Sequence, residues 1–438
     1  MKRKGIKFLL LKIMTATVFS GLFGHLSFAQ MPGLSKTAWN TIIAETQFNP
    51  EGYQSNLPIQ LEHIEVSASA VQFEILEKAD PLIRQALVFQ TVESGETVQK
   101  VRLILNPDDG VYKNQIIEYF KNSGIAFSVE KYFVGYRTAS RSFIVTDPKT
   151  GKVFSYKAST PKAFGPVKTD KKLSAKAVKA SLLLSDYVRQ NPPTENMTVR
   201  FLPETMGFSI SQLDLGFSVR EYPHFKNSNG NFLVPFFSTV HSEFAEFVAK
   251  KNGSKKYEQF WTEHAMKPVG QALAEMVFNY GIVYNSSHGQ NIMIELDADY
   301  KPTGKIYLRD FSDSDLFEKV FIARGRTDIV DYWEDVLVKN NVYKYNQLPL
   351  VEFFPFNKET QPDWLRETKK YMQGFVSGFK LAVSRLLQVS DVSGFNAIIT
   401  EFSARVLHAT GDVAFEKAFS KHLEQIHSTK NHCHSAFN

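Results

Sequence analysis

Apolar and polar positions alternate with a strand-like period in the first half of the chain and a helix-like period in the second. IQLEHIEVSASAVQFEIL (59–76) alternates, DPLIRQALVFQTV (80–92) opens like a short helix, and VRLILN (101–106) reads as a strand closed by the turn PDDG. In GVYKNQIIEYFKNSG (110–124), Val111, Ile116, Ile117 and Phe120 share one helical face and Gly124 is a stop signal. SRSFIVTDPKTGKVFSYKAST (140–160) predicts a hairpin about DPKTG, with Val153, Ser155 and Lys157 alternating against Phe154 and Tyr156. An amphipathic helix over 171–191 ends at two prolines, and NMTVRFLP and DLGFSVREYP add two strands.

From about residue 240 the period changes. VHSEFAEFVAKK, YEQFWTEHAMKPVGQALAEMVFNYGI, DIVDYWEDVLVK, DWLRETKKYMQGFVSGFKLAVSRLLQ, GFNAIITEFSARVLHA and AFEKAFSKHLEQIH all predict helices. One segment interrupts them: NIMIEL, the turn DADYKPTG and the return strand KIYLRDF form a hairpin. The predicted fold class is therefore α+β, a mixed-sheet N-terminal lobe followed by a mainly helical C-terminal lobe containing an inserted β-hairpin. A length of 438 residues suits two or three lobes, and the 37 Phe supply much of the core.

The first residues change the picture of where the protein works. MKRKGIK is a positive n-region, FLLLKIMTATVFSGLFGHLSFA is largely apolar, and Ser27 and Ala29 suit a cleavage site that leaves Gln30 first. The expectation is export, periplasmic or secreted, with residues 1–29 as signal peptide. No later run has the roughly 18 apolar residues a membrane span needs. Cys433 is the only cysteine, so an intrachain disulfide is excluded. The net charge of +6 comes from basic residues spread along the chain, which argues against a nucleic-acid partner.

The candidate chemistry sits on the hairpin, at SSHGQN (286–291) and Arg309-Asp310. Antiparallel return brings Asp310 back beside Asn291. An amide oxygen and a carboxylate so placed suit Mg²⁺, a hard ion that completes its shell with phosphates and water. Protein kinases hold their metal by the same logic, with an Asn and, a short hairpin later, an Asp. The kinase catalytic-loop Asp has no counterpart in HGQN, which favours a substrate that brings its own carboxylate nucleophile. Lys157 could neutralise phosphates as kinase strand lysines do, or be a surface lysine on an edge strand. Arg220 could grip an anionic substrate, or form a structural salt bridge with Glu221 or another carboxylate. For the motif itself the plain alternative is a polar turn with Asp310 capping the next segment.

SSHGQNIMIEL followed by KIYLRDF resembles the signature of the siderophore synthetases that work without a peptide template, the IucA/IucC family. KKLSAKAVKASLLLSDYVR, VREYP and LVPFF resemble family segments in the same order, so the likeness spans about residues 150–430. It implies a hand-like fold with a kinase-like palm: a reduced thumb-like region over 30–150, fingers over 151–238 and the palm over 239–438. It implies ATP and Mg²⁺ as cofactors, and adenylation of a small carboxylate or polycarboxylate for condensation with an amine or hydroxyl. In that scheme His288 contacts the ATP phosphates, Gln290, Asn291 and Asp310 hold Mg²⁺, and Arg309 is the basic partner beside Asp310. Lys157 and Arg220 join them as cofactor-binding candidates. Ser286 stands where the family carries an acidic residue and Leu183 where it carries an Arg. The sequence leaves a homodimer open, and two other functions: a secreted kinase-like transferase or effector, and a non-catalytic extracytoplasmic ligand-binding module.

Overall fold

A computed structural model describes residues 34–46, 55–138, 141–161, 172–222, 230–240, 243–284, 287–334, 344–345, 351–353, 364–392, 395–399, 404–407 and 413–435. The expected export segment lies outside them. The described chain opens with helix α1 (Lys36–Thr46). Then come β1 (Ile59–Ser67), β2 (Gln72–Ile75), β3 (Val88–Glu93), β4 (Glu96–Ile104), β5 (Phe127–Arg137), β6 (Ser142–Thr146) and β7 (Val153–Ala158). Helix α2 (Ala175–Gln190), N-capped by Ser174, leads to β8 (Val199–Phe201), β9 (Glu204–Ile210), β10 (Leu215–Glu221) and β11 (Phe232–Pro235).

Nine of these strands form one sheet, in the order β2-β9-β10-β7-β6-β5-β1-β4-β3. Its pairings are antiparallel throughout, including β6 with β7 across the turn that contains residue 150. The predicted hairpin is present as β12 (Ile292–Leu296) and β13 (Pro302–Leu308). It belongs to a four-stranded sheet in which β11 flanks β12 and β8 pairs in parallel with β13.

The C-terminal half is mainly helical, as the pattern predicted. The segment read as one helix from Tyr257 runs as Tyr257–Trp261, a π turn Thr262–Met266 and Lys267–Tyr280. Pro268 explains the wide turn, because it has no N–H to return to the carbonyl of residue 264. A second expectation fails. GFNAIITEFSARVLHA forms two antiparallel strands, Asn396–Ile399 and Ala404–Leu407, and the second also pairs with Val351–Phe353. Ile398, Ile399 and Val406 are β-branched, and a partner strand decided between two periods that a short run leaves ambiguous. Among the described residues no helix is long and apolar enough to cross a membrane.

Helix α2 is seated on the large sheet because glycines leave room for it. A Cβ at Gly207 of β9 would overlap Val178 and Leu182, and one at Gly216 of β10 would overlap Val178 and the Ser174 carbonyl. Gly207 also hid β9 from sequence reading, since Gly lowers strand propensity. Gly207→Val should therefore raise local strand propensity yet destabilise the protein by about 1–3 kcal/mol through overpacking. Urea denaturation checks the sign: a midpoint that rises would show that the helix is not seated on this glycine.

Candidate functional site

Strand β7 lies between β6 and β10, and all six of its residues are buried. Lys157 is therefore a central-strand residue and not the edge-strand surface lysine that was one reading of it. Alternation sends Phe154 and Tyr156 into the sheet core with Phe217 and Val219. The other face collects polar groups, because Lys157 pairs with Ser218, Ser155 with Arg220, and Arg220 with Glu204. Arg220 donates to Glu204 at 2.8 Å, both buried. Its salt bridge thus runs to the neighbouring strand.

The hairpin delivers Asp310 to this polar face. Ile292 pairs with Leu308, and the Arg309 N–H donates to the Asn291 carbonyl at 3.2 Å, so Asn291 faces Arg309 with Asp310 one step beyond. Asp310 has φ 71°, a left-handed conformation that Asp tolerates better than most residues. The Lys157 ammonium donates to Asp310 Oδ1, and the Ser312 hydroxyl donates to the same oxygen at 3.0 Å. Burial opposes ionisation of Asp310, yet Lys157, with Arg141 and Arg220 behind it, holds its carboxyl far below the ordinary carboxylate range. Burial pulls the Lys157 ammonium below the usual lysine range, against the opposing pull of Asp310.

The HGQN loop is a tight turn beside the hairpin. The Asn291 N–H donates to the His288 carbonyl at 3.0 Å, and the Gln290 N–H donates to His288 Nδ1 at 3.3 Å. The Asn291 amide lies 3.3 Å from His288 Nε2. The His288 ring stacks on Phe237, with centroids 6.2 Å apart and planes 11° from parallel. A Cβ at residue 289 would enter the Phe237 ring, so glycine is what lets the loop approach.

Arg309 points into a different environment from its neighbour. Its guanidinium forks onto both carboxylate oxygens of Glu45 in α1, the longer contact being 3.0 Å, and donates to the Gln290 carbonyl at 2.8 Å. Burial would weaken this cation, but Glu45 more than compensates and raises its affinity for the proton. The structure thus joins Lys157 to Asp310 and His288 to Asn291, and commits the Arg309 side chain to Glu45. Glu45, Glu204 and Arg141 complete the arrangement and were not singled out in the sequence. Ser286 lies outside the described residues; Leu183 is half-buried against the helical core, and buried Ser181 Oγ makes no hydrogen bond among the described residues.

The donor set fits a small hard cation with phosphates better than a closed metal centre. Among the described residues no cluster of three or more His, Cys, Asp or Glu occurs. One carboxylate with the Asn291 side-chain amide on the neighbouring turn is the kind of oxygen donor set Mg²⁺ takes when waters and substrate phosphates complete its shell. Around Asp310, Lys157, Arg141 and Arg220 outweigh the carboxylates, as a polyanion site requires.

The Lys157–Asp310 pair has a measurable signature. Asp310→Asn keeps the backbone conformation and leaves buried cations uncompensated, so it should cost about 3–5 kcal/mol at neutral pH. Because Asp310 is more acidic in the folded protein than its ordinary value of 3.8, its contribution is present above that pH and shrinks as pH falls below it. Chemical denaturation from pH 7 to pH 2.5 should show a gap between wild type and variant that is constant above about pH 4 and narrows, without closing, towards pH 2.5; a gap that stays constant throughout would refute the ion pair.

No family model matches the sequence, and no curated protein matches it. Solved structures do. The petrobactin biosynthesis protein AsbB from Bacillus anthracis str. Sterne aligns with TM-score 0.55 at 14% identity, covering 84% of this chain and 70% of its own. Aerobactin synthetase IucC from a hypervirulent pathotype of Klebsiella pneumoniae aligns at TM-score 0.48 and 13% identity, over 86% of this chain. ATP-bound aerobactin synthetase IucA from the same source aligns at TM-score 0.47 and 13% identity, over 76% of this chain. The chain spans 64% and 62% of the lengths of these two synthetases. Through the alignment with AsbB, the chain has an IucA/IucC-like fold.

Proposed function

We propose that the protein is a siderophore-synthetase-like ligase, dependent on ATP and Mg²⁺, that adenylates a small carboxylate or polycarboxylate for condensation with an amine or hydroxyl. The observation that carries this reading is the buried strand lysine, Lys157, set against Asp310 of the hairpin within a fold like that of AsbB. Asp310, Asn291 and Gln290 would hold the metal, and Lys157 and His288 would face the phosphates. Bound Mg-ATP would supply an electrophilic phosphorus and a pyrophosphate leaving group. The chain's own work is positioning and charge stabilisation. Lys157 and Arg220 set a positive field on the sheet face, and burial keeps that field from being screened by water. A substrate carboxylate needs no general base, which agrees with the absence of an acidic residue within HGQN. We propose also that the protein is exported with Gln30 as its first residue, as N-terminal sequencing of the mature protein would test.

Calorimetric titration of Mg-ATP into wild type and Asp310→Asn tests the site. Wild type should bind only when Mg²⁺ is present, and the variant should lose at least about tenfold in affinity, a 1.4 kcal/mol difference. Pyrophosphate release should then appear with a citrate-like acid and an amine. Absence of binding by the folded wild type would overturn the reading.

A further inference from the structure

We propose that Glu45 is the positioning residue for the HGQN loop and for Asp310, acting through Arg309; the proposal rests on the nucleotide reading above. Glu45 has no exposed surface, and it meets Arg309 from 264 positions away. Its two oxygens take the two arms of the guanidinium, a fork that fixes the plane of the group as well as its distance. The same guanidinium donates to the Gln290 carbonyl at 2.8 Å, and the Arg309 backbone N–H holds the Asn291 carbonyl at 3.2 Å. The Tyr222 hydroxyl, one residue past the end of β10, donates to Glu45 at 3.3 Å. The Tyr284 hydroxyl donates to the carbonyl of Arg309, with that of Asn291 at 3.4 Å. The direction of residues 290, 291 and 310 thus depends on where α1 presents one carboxylate.

Helix α1 is well anchored for that task. Leu34, Ala38 and Ile42 are buried with Tyr136 and Ile144 of the large sheet and with Leu233 and Met293 of the small one. An apolar wedge between two sheets would be at least as stable without a charge at position 45, because a buried ion pair adds little over a well-packed apolar pair. Its placement beneath the loop gives the pair a geometric role.

Two variants of the full chain separate positioning from mere stability. Glu45→Gln is nearly isosteric and removes the charge; Ile42→Ala loosens the same helix without touching the pair. Amide hydrogen exchange without ligand reads the loop directly, and the Mg²⁺ concentration giving half-maximal ATP binding reads its consequence. Glu45→Gln should speed exchange in residues 287–291 and 309–312 by about tenfold or more, and raise the half-saturating Mg²⁺ severalfold. Arg309→Lys, which keeps the charge and loses the fork, should do the same. Ile42→Ala should lower the melting temperature while leaving both readouts near wild type. Unchanged exchange in Glu45→Gln, or equal effects from Ile42→Ala, would overturn the proposal. Should wild type bind no nucleotide, the nucleotide reading falls, and the exchange data still decide the role of Glu45.

Discussion

Two consecutive residues of opposite charge, Arg309 and Asp310, tie the second half of the chain to the first through one buried and one partly buried ion pair. Arg309 goes to Glu45 of the N-terminal helix and Asp310 to Lys157 of the central strand. Their side chains part company because Asp310 leaves the strand in a left-handed conformation. Both pairs form only when the large sheet, α1 and the hairpin are all in place. Removing one partner from either would strand a charge away from water, a larger loss than the pair itself is worth.

The polar face on which Asp310 lands follows from strand alternation. In β7 and β10, Phe154, Tyr156, Phe217 and Val219 close one side, so Ser155, Lys157, Ser218 and Arg220 must share the other. Such a face can be buried only if its charges are met, and Glu204 and Asp310 meet Arg220 and Lys157. With Arg141 nearby the cations still outnumber the carboxylates. That surplus costs stability in the free protein and is the property an anionic ligand would use.

The hairpin was legible in the sequence because two apolar strands flank a polar connection, although Pro302 and Gly304, expected in the turn, belong to the return strand and the turn is closed over 297–301. The expected pairing of Asp310 with Asn291 is off by one residue: Asn291 faces Arg309, and Asp310 lies one step beyond. Burial of Lys157 was not legible, since an alternating strand looks the same at the edge of a sheet and at its centre until its neighbours are known. Glu45 was further out of reach, because its partner lies across the whole molecule. The one local signal was a lone acidic residue at the end of KTAWNTIIAET, where Thr41 to Thr46 are all buried. The strands over 396–399 and 404–407 were misread as helix for the converse reason: local period was ambiguous, and pairing with Val351–Phe353 settled it.

On the nucleotide reading, the pairing of Lys157 with Asp310 also sets what a ligand must accomplish. A metal at Asp310 and a phosphate at Lys157 would exchange one internal ion pair for two contacts of the same sign pattern, lysine to phosphate and carboxylate to metal. Neither half of that exchange is favourable alone: phosphate without metal would leave Asp310 facing an anion, and metal without phosphate would face Lys157, Arg141 and Arg220. The electrostatics therefore couple the two components, so that each raises the affinity for the other. Arg309 stays outside this exchange, because its charge is already answered by Glu45. The loop can thus keep its direction while the charges beside it change partners.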